Sequence, residues 1–344
     1  MSHQASADVV LSATALKKYF PVRTGFFAAL LGRERMWVKA IDGIDFDIHK
    51  GEIFALAGES GCGKTTTGRT VLRLEEPTAG SLRFDGTDIT AMTQKEFKAF
   101  RRRMQIIFQD PYESLNPRMN VFDTLAEPLR LHRLGLNKEQ ERERVSRGLD
   151  LVKLVPPEEF VKRYPHELSG GQRQRVAVAR AMILNPEFIV ADEPVSMLDV
   201  SIRAGILNSL LEIRERFDVS FLFITHDLAV ASYMADRLAI MYLGKFAEVG
   251  PTERVVAKPK HPYTQALLAA VPRPDPTRER RPVSLVGEPP SPISPPTGCR
   301  FHPRCPYAED RCRGEEPPLL EAEGSLVACH FWDEIAAGTK RRTP

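Results

Sequence analysis

No stretch of the 344-residue chain approaches the roughly 18 consecutive apolar residues that a membrane-spanning helix needs. The nearest run, Gly25-Phe26-Phe27-Ala28-Ala29-Leu30-Leu31-Gly32, is eight residues long. Any tie to a membrane is therefore expected to run through a partner. Net charge is small, +3 from 48 basic and 45 acidic side chains, which argues against bulk nucleic-acid binding. Met1 to Val10 lack the basic and apolar regions of a secretory signal, so the cytosol is the expected setting. There is no internal repeat and no sustained heptad pattern. Cysteine is sparse: Cys62 stands alone, and the other four lie between Cys299 and Cys329. Such clustering in a cytosolic chain points away from disulfides and towards metal.

What is present reads as a globular chain of one large or two modest domains. Gly58-Glu59-Ser60-Gly61-Cys62-Gly63-Lys64-Thr65 fits the phosphate-binding pattern G-x-x-x-x-G-K-[ST] without a mismatch. Its glycines let the backbone wrap a polyphosphate so that N–H groups point at the anion. Lys64 would reach the β- and γ-phosphates, and the Thr65 hydroxyl would ligate Mg²⁺. Glu52 to Ala57 reads as a buried strand feeding the loop, and Thr65 to Leu74, with Thr66 in its first turn, as the helix leaving it. Short alternating strands recur up to about residue 90; residues 92–184 read as mostly helical and heavily charged. Phe188–Ala191 and Phe221–Ile224 are continuous apolar runs of the kind buried parallel strands show, with an amphipathic helix between them.

A second motif is Leu168-Ser169-Gly170-Gly171-Gln172, ahead of a strong helix. Ser169 is a good N-cap, and the glycines bare the backbone where an anion could sit. Alone, the stretch fits an ordinary capped helix equally well. Its position matters, because the next strand ends in Asp192-Glu193: an apolar strand delivering one acid to a Mg²⁺ shell and a second beside the γ-phosphate.

At this point the sequence resembles the nucleotide-binding subunits of ABC transporters, over residues from about 9 to 270 with every motif in order. The resemblance implies an α/β P-loop cassette: a RecA-like core, an antiparallel β subdomain and a helical subdomain. It implies ATP sandwiched between the P-loop (Gly58, Ser60, Gly61, Cys62, Gly63, Lys64, Thr65, Thr66) of one subunit and the signature loop (Ser169, Gly170, Gly171, Gln172) of another. Gln109 matches the glutamine that senses the γ-phosphate, Asp192 the Walker B aspartate, Glu193 the general base and His226 the switch histidine. Thr65, Gln109 and Asp192 would share the Mg²⁺. Ser196-Met197-Leu198-Asp199 matches the D-loop, with Met197 where alanine is usual. Phe20 is the candidate for stacking on adenine, and Cys62 reads as a spectator thiol within the loop.

The closer resemblance is to the oligopeptide/dipeptide importer branch. It is carried by Asp110-Pro111-Tyr112-Glu113-Ser114-Leu115-Asn116-Pro117-Arg118-Met119, by His261-Pro262-Tyr263-Thr264-Gln265-Ala266-Leu267, and by the tail. The expected organisation is a cassette over 8–271, a proline-rich linker over 272–296 and a cysteine module over 297–335. In this branch two cassettes, commonly different chains, pair under two membrane permease subunits that an extracytoplasmic binding protein serves. The chain would then sit peripherally on the cytoplasmic face. Related solutes (nickel, glutathione, oligosaccharides) and a soluble regulatory ATPase with a metal-sensing tail are the alternatives.

The tail reads Cys299-x5-Cys305-x6-Cys312-x16-Cys329. Four thiolates suit zinc or an iron–sulfur cluster, and no gap is the C-x2-C knuckle of structural zinc. Similar tails on dipeptide importer ATPases carry a 4Fe–4S cluster, which is the expectation here. Zinc and unliganded thiols stay open, with His302 and His330 as alternative ligands.

Overall fold

The computed structural model describes residues 8–22, 36–110, 114–271 and 287–341. The apolar patch at 26–31, residues 111–113 of the importer-style segment and the first part of the proline-rich linker lie outside them. In chain order the strands are β1 (Val9–Pro21), β2 (Trp37–His49), β3 (Ile53–Ala57), β4 (Ala79–Phe84), β5 (Thr87–Asp88), β6 (Met104–Ile107), β7 (Phe188–Asp192), β8 (Ser220–Thr225), β9 (Arg237–Tyr242), β10 (Lys245–Pro251), β11 (Leu320–Ala322) and β12 (Ser325–Val327). The helices are α1 (Lys64–Val71), α2 (Gln94–Arg101), α3 (Val121–Leu131), α4 (Lys138–Leu151), α5 (Gly170–Met182), α6 (Val200–Phe217), α7 (Leu228–Met234), α8 (Thr252–Ala257), α9 (Pro262–Ala270), α10 (Asp310–Gly314) and α11 (Trp332–Ala336). No helix among the described residues is long and apolar enough to cross a membrane.

The described residues fall into two compact units. One lies within Met1–Val10, Ile48–Ile53 and Ala91–Ile224, the other within Leu11–Asp47, Phe54–Thr90 and Thr225–Pro344.

The first unit is built on parallel strands. β6 pairs with β7 (Ile106↔Val190), and β7 with β8 (Ala191↔Phe223). β7 and β8 are buried at every residue, which is why both read as unbroken apolar runs. β6 is a correction. It lies inside the region read as mostly helical, and its four residues are too few to show a period. In α6, Ile206, Leu210 and Ile213 line one buried face at helical spacing. Four helices of this unit carry their own start signals: Asn120 caps α3, while Thr93, Asn137 and Ser169 close capping boxes on α2, α4 and α5.

The second unit holds an antiparallel sheet in the order β2-β1-β4-β5, and β3, β9, β10, β12 and β11 side by side. β3 runs parallel to β9; β9, β10, β12 and β11 are joined antiparallel. β1 is longer than its sequence suggests, because a register shift between Thr14 and Lys17 breaks the alternation. The tail also departs from expectation. A separate cysteine module is expected over 297–335, but Glu248 and Val249 of β10 pair with Val327 and Leu326 of β12. The tail's hairpin thus extends the sheet of the P-loop unit. Phe301 joins that unit's core with Tyr242, Tyr263 and Leu238.

Candidate nucleotide site

The P-loop follows β3, whose five residues are all buried. Two of its glycines are structural necessities. At Gly58 (φ +150) a Cβ would collide with the Met241 carbonyl, and at Gly63 (φ +111) with the Ala40 carbonyl. Gly63 is also the left-handed N-cap of α1 and offers no side-chain cap, at the kind of helix start that favours an anion. Lys64 is buried, and its ammonium donates to the Gly58 carbonyl at 2.8 Å and the Glu59 carbonyl at 2.9 Å. Thr65 and Thr66 are half-buried on α1, and Ser60 and Gly61 are exposed at the loop's crest. Cys62 is buried, and burial pushes its thiol up. A protonated, inaccessible thiol fits the spectator reading.

Phe20 is half-buried near the end of β1, with the Lys18 ammonium 4.7 Å from its ring centroid. Its neighbour Tyr19 turns its hydroxyl to Asp42. His226 is exposed just after β8. Asp227 beside it accepts from the Ala229 N–H at 2.9 Å and so caps α7.

The first unit carries the acids. β7 delivers Asp192, buried, at its last position. Glu193 follows with φ +47, its N–H held by the Ile224 carbonyl at 2.9 Å. That left-handed backbone turns the carboxylate out of the strand direction. Gln109 Nε2 donates to Glu193 Oε2 at 2.9 Å, which brings together two residues 84 positions apart. Ser196 closes the same turn, its Oγ donating to the Glu193 carbonyl at 3.1 Å, and Met197 after it is exposed. In the signature loop the Ser169 hydroxyl accepts from the Gln172 N–H at 3.3 Å, and the Gln172 carboxamide accepts from the Ser169 N–H at 2.9 Å. The turn is therefore fixed, with Ser169 exposed, Gly170 half-buried and Gly171 buried.

Among the described residues no group of three or more His, Cys, Asp or Glu is arranged to hold a metal ion, so neither the expected 4Fe–4S cluster nor the zinc alternative is shown for the tail. The four thiols do converge. Cys299, Cys305, Cys312 and Cys329 line one small cavity together with His302 and His330. Burial first, then mutual repulsion, pushes the Cys299 thiol up to about 11 and those of Cys305 and Cys329 to about 12. His302 directs Nδ1 at the Cys299 carbonyl (2.9 Å) and His330 directs Nε2 at the Glu315 carbonyl (3.1 Å).

Residues 41–196 match the family model described as ABC transporter, and residues 247–312 that described as oligopeptide/dipeptide transporter, C-terminal region. The probable peptide ABC transporter ATP-binding protein y4tS of Sinorhizobium fredii is 46% identical over 332 residues, 96% of this chain and 92% of that protein. The chain belongs to the ABC transporter ATP-binding proteins. The oligopeptide transport ATP-binding protein AppF of Bacillus subtilis is also 46% identical, over 95% of this chain and 99% of that one. Among solved structures, this ABC cassette resembles the cassette MJ0796 in a post-hydrolysis dimer bound to ADP and Pi. The TM-score is 0.61 at 27% identity, covering 70% of this chain and 98% of the other. Its fold is the ABC ATPase cassette, and ATP hydrolysis is the activity that goes with it.

The sequence reading of this ABC ATPase missed three residues around the P-loop: Glu59, Tyr263 and Arg304. Tyr263 OH accepts from the Glu59 N–H at 2.9 Å, and Arg304 Nη1 meets Glu59 Oε2 at 2.8 Å. Their sequence separations, 204 and 245, leave no local signal.

Proposed function

We propose that the chain is the ATP-hydrolysing subunit that energises an ABC importer of di- and oligopeptides. One observation carries the solute class: an ATP cassette and an oligopeptide/dipeptide C-terminal region on the same chain. The other solutes and the soluble regulatory ATPase have no comparable support.

In this reading the P-loop backbone, Lys64 and the α1 N-terminus bind the β- and γ-phosphates of ATP. Thr65, Gln109 and Asp192 would hold Mg²⁺, which neutralises phosphate charge when bound. A hydroxyl, a carboxamide and a carboxylate are the oxygen donors that suit it. Glu193 takes a proton from the attacking water as general base. The Gln109 bond to its Oε2 would help to orient that carboxylate. His226 contacts the γ-phosphate, and Phe20 stacks on adenine. Ser169 to Gln172 serve the nucleotide of a second cassette, commonly a different chain. Two membrane permease subunits and an extracytoplasmic binding protein complete the assembly, with this chain peripheral on the cytoplasmic face. The domain plan is a cassette over 8–271 with its helical part at about 92–184, a linker over 272–296 and a cysteine module over 297–335. Cys299, Cys305, Cys312 and Cys329, which line one small cavity, are the residues that would hold a 4Fe–4S cluster through their thiolates.

Purification from membranes without oxygen tests both parts. The expected product is a complex with integral membrane subunits and broad visible absorbance. A chain that copurifies with no membrane subunit removes the importer reading, and a colourless tail removes the cluster.

A further inference from the structure

Arg304 belongs to the tail, yet its charge is spent on the P-loop. Nη1 donates to Glu59 Oε2 at 2.8 Å and Nη2 to Glu59 Oε1 at 3.0 Å, a two-pronged ion pair. Nη1 also reaches the Tyr242 hydroxyl at 3.4 Å. The Arg304 side chain is 6% exposed and that of Glu59 25%, so the pair is largely shielded from water. Glu59 sits at a position that the phosphate-binding pattern leaves open. A carboxylate in the opening turn of a loop that cradles polyphosphate repels the ligand unless its charge is balanced. The same residue is held at two more atoms: its N–H donates to Tyr263 OH at 2.9 Å, and its carbonyl accepts from Lys64 Nζ at 2.9 Å. The residue that Arg304 grips is therefore also the one on which the phosphate-binding lysine rests.

Arg304 cannot move independently of the cysteines. It ends a tight turn, His302–Arg304, between Cys299 and Cys305. The His302 N–H donates to the Cys299 carbonyl at 3.0 Å and the Arg304 N–H to the Phe301 carbonyl at 3.0 Å. Phe301 packs its ring 5.4 Å from that of Tyr242 and 5.3 Å from that of Tyr263.

We propose that Arg304 is a positioning residue for nucleotide binding: it neutralises and orients Glu59, so that the C-terminal tail sets the affinity of the P-loop for a nucleoside polyphosphate. The proposal rests on the P-loop being the nucleotide site. The full chain is titrated with Mg·ADP, and KM and kcat for ATP are measured alongside. Arg304→Ala is expected to weaken ADP binding about tenfold and raise KM in proportion, with kcat changed less than about twofold. Adding Glu59→Gln removes the stranded carboxylate and is expected to bring the affinity back to within about threefold of wild type. Loss of tail packing alone admits no such rescue. Arg304→Lys keeps the charge without the fork and falls between. If Arg304→Ala fails to fold, Arg304→Gln with and without Glu59→Gln gives the same comparison. Wild-type affinity in the Arg304 variant overturns the proposal, as does a double variant that binds no better than the single one. A wild-type chain that binds no ADP overturns the nucleotide reading instead.

Discussion

In the proposed mechanism the two units recognise phosphate and handle its chemistry with different materials. In the P-loop unit the grip is mostly backbone: glycines at Gly58 and Gly63 that no other residue fits, an uncapped helix start, and one lysine drawn to two carbonyls. In the other unit the proposed working parts are side chains at strand ends: Asp192 closing β7, Glu193 on a left-handed turn, and Gln109 bonded to it. A backbone grip depends on packing that holds the loop's shape. A carboxylate depends on its own ionisation and aim. Substitutions in the first should therefore cost stability or affinity, and in the second turnover.

Glu193→Gln gives the largest separation. It should lower kcat by about a thousandfold, while Mg·ADP affinity stays within about twofold. Steady-state hydrolysis and titration on the same preparation check it, and undiminished hydrolysis would remove Glu193 as the base.

Next comes the packing under the P-loop unit. Phe301 is 2% exposed and touches Tyr242, His261 and Tyr263. Phe301→Ala should cost about 3 kcal/mol of stability in urea unfolding. A loss below about 1 kcal/mol would mean that the tail is not part of that core.

The smallest effect concerns protons. Burial pushes the His261 ring down from 6.5 to about 4, and its Nδ1 accepts from the Tyr263 N–H at 3.0 Å. The folded chain thus keeps the ring neutral where the unfolded chain protonates it. Stability is lost as pH falls from 6.5 towards 4, and above 6.5 the ring makes no difference. An NMR titration should find this ring changing state near pH 4; a midpoint near 6.5 would place it in water.

Sequence gave access to the two units unevenly, for the same physical reason. Motifs built from neighbouring residues were legible: the P-loop, the capped signature turn, and the strand ending in two acids. Burial on both faces made β7 and β8 readable as apolar runs. What escaped was short, irregular or distant. β6 has too few residues for a period, and the shift between Thr14 and Lys17 hid half of β1. The Glu59–Arg304 pair joins residues 245 positions apart, through a loop position that the motif leaves blank. Gln109 and Glu193 could each be named, but their mutual bond could not.

The hairpin of β11 and β12 has a consequence of its own. β10 is paired with β9 on one side and β12 on the other. Without the tail, the second side would be a row of unmet N–H and C=O groups along a strand whose residues from Phe246 to Gly250 are all buried. Such an edge is a template for joining another chain's strand. The hairpin covers it and ends the sheet on β11, only three residues long and carrying Glu321 at its middle. The segment that holds the cysteines thus also covers an open strand edge of this subunit.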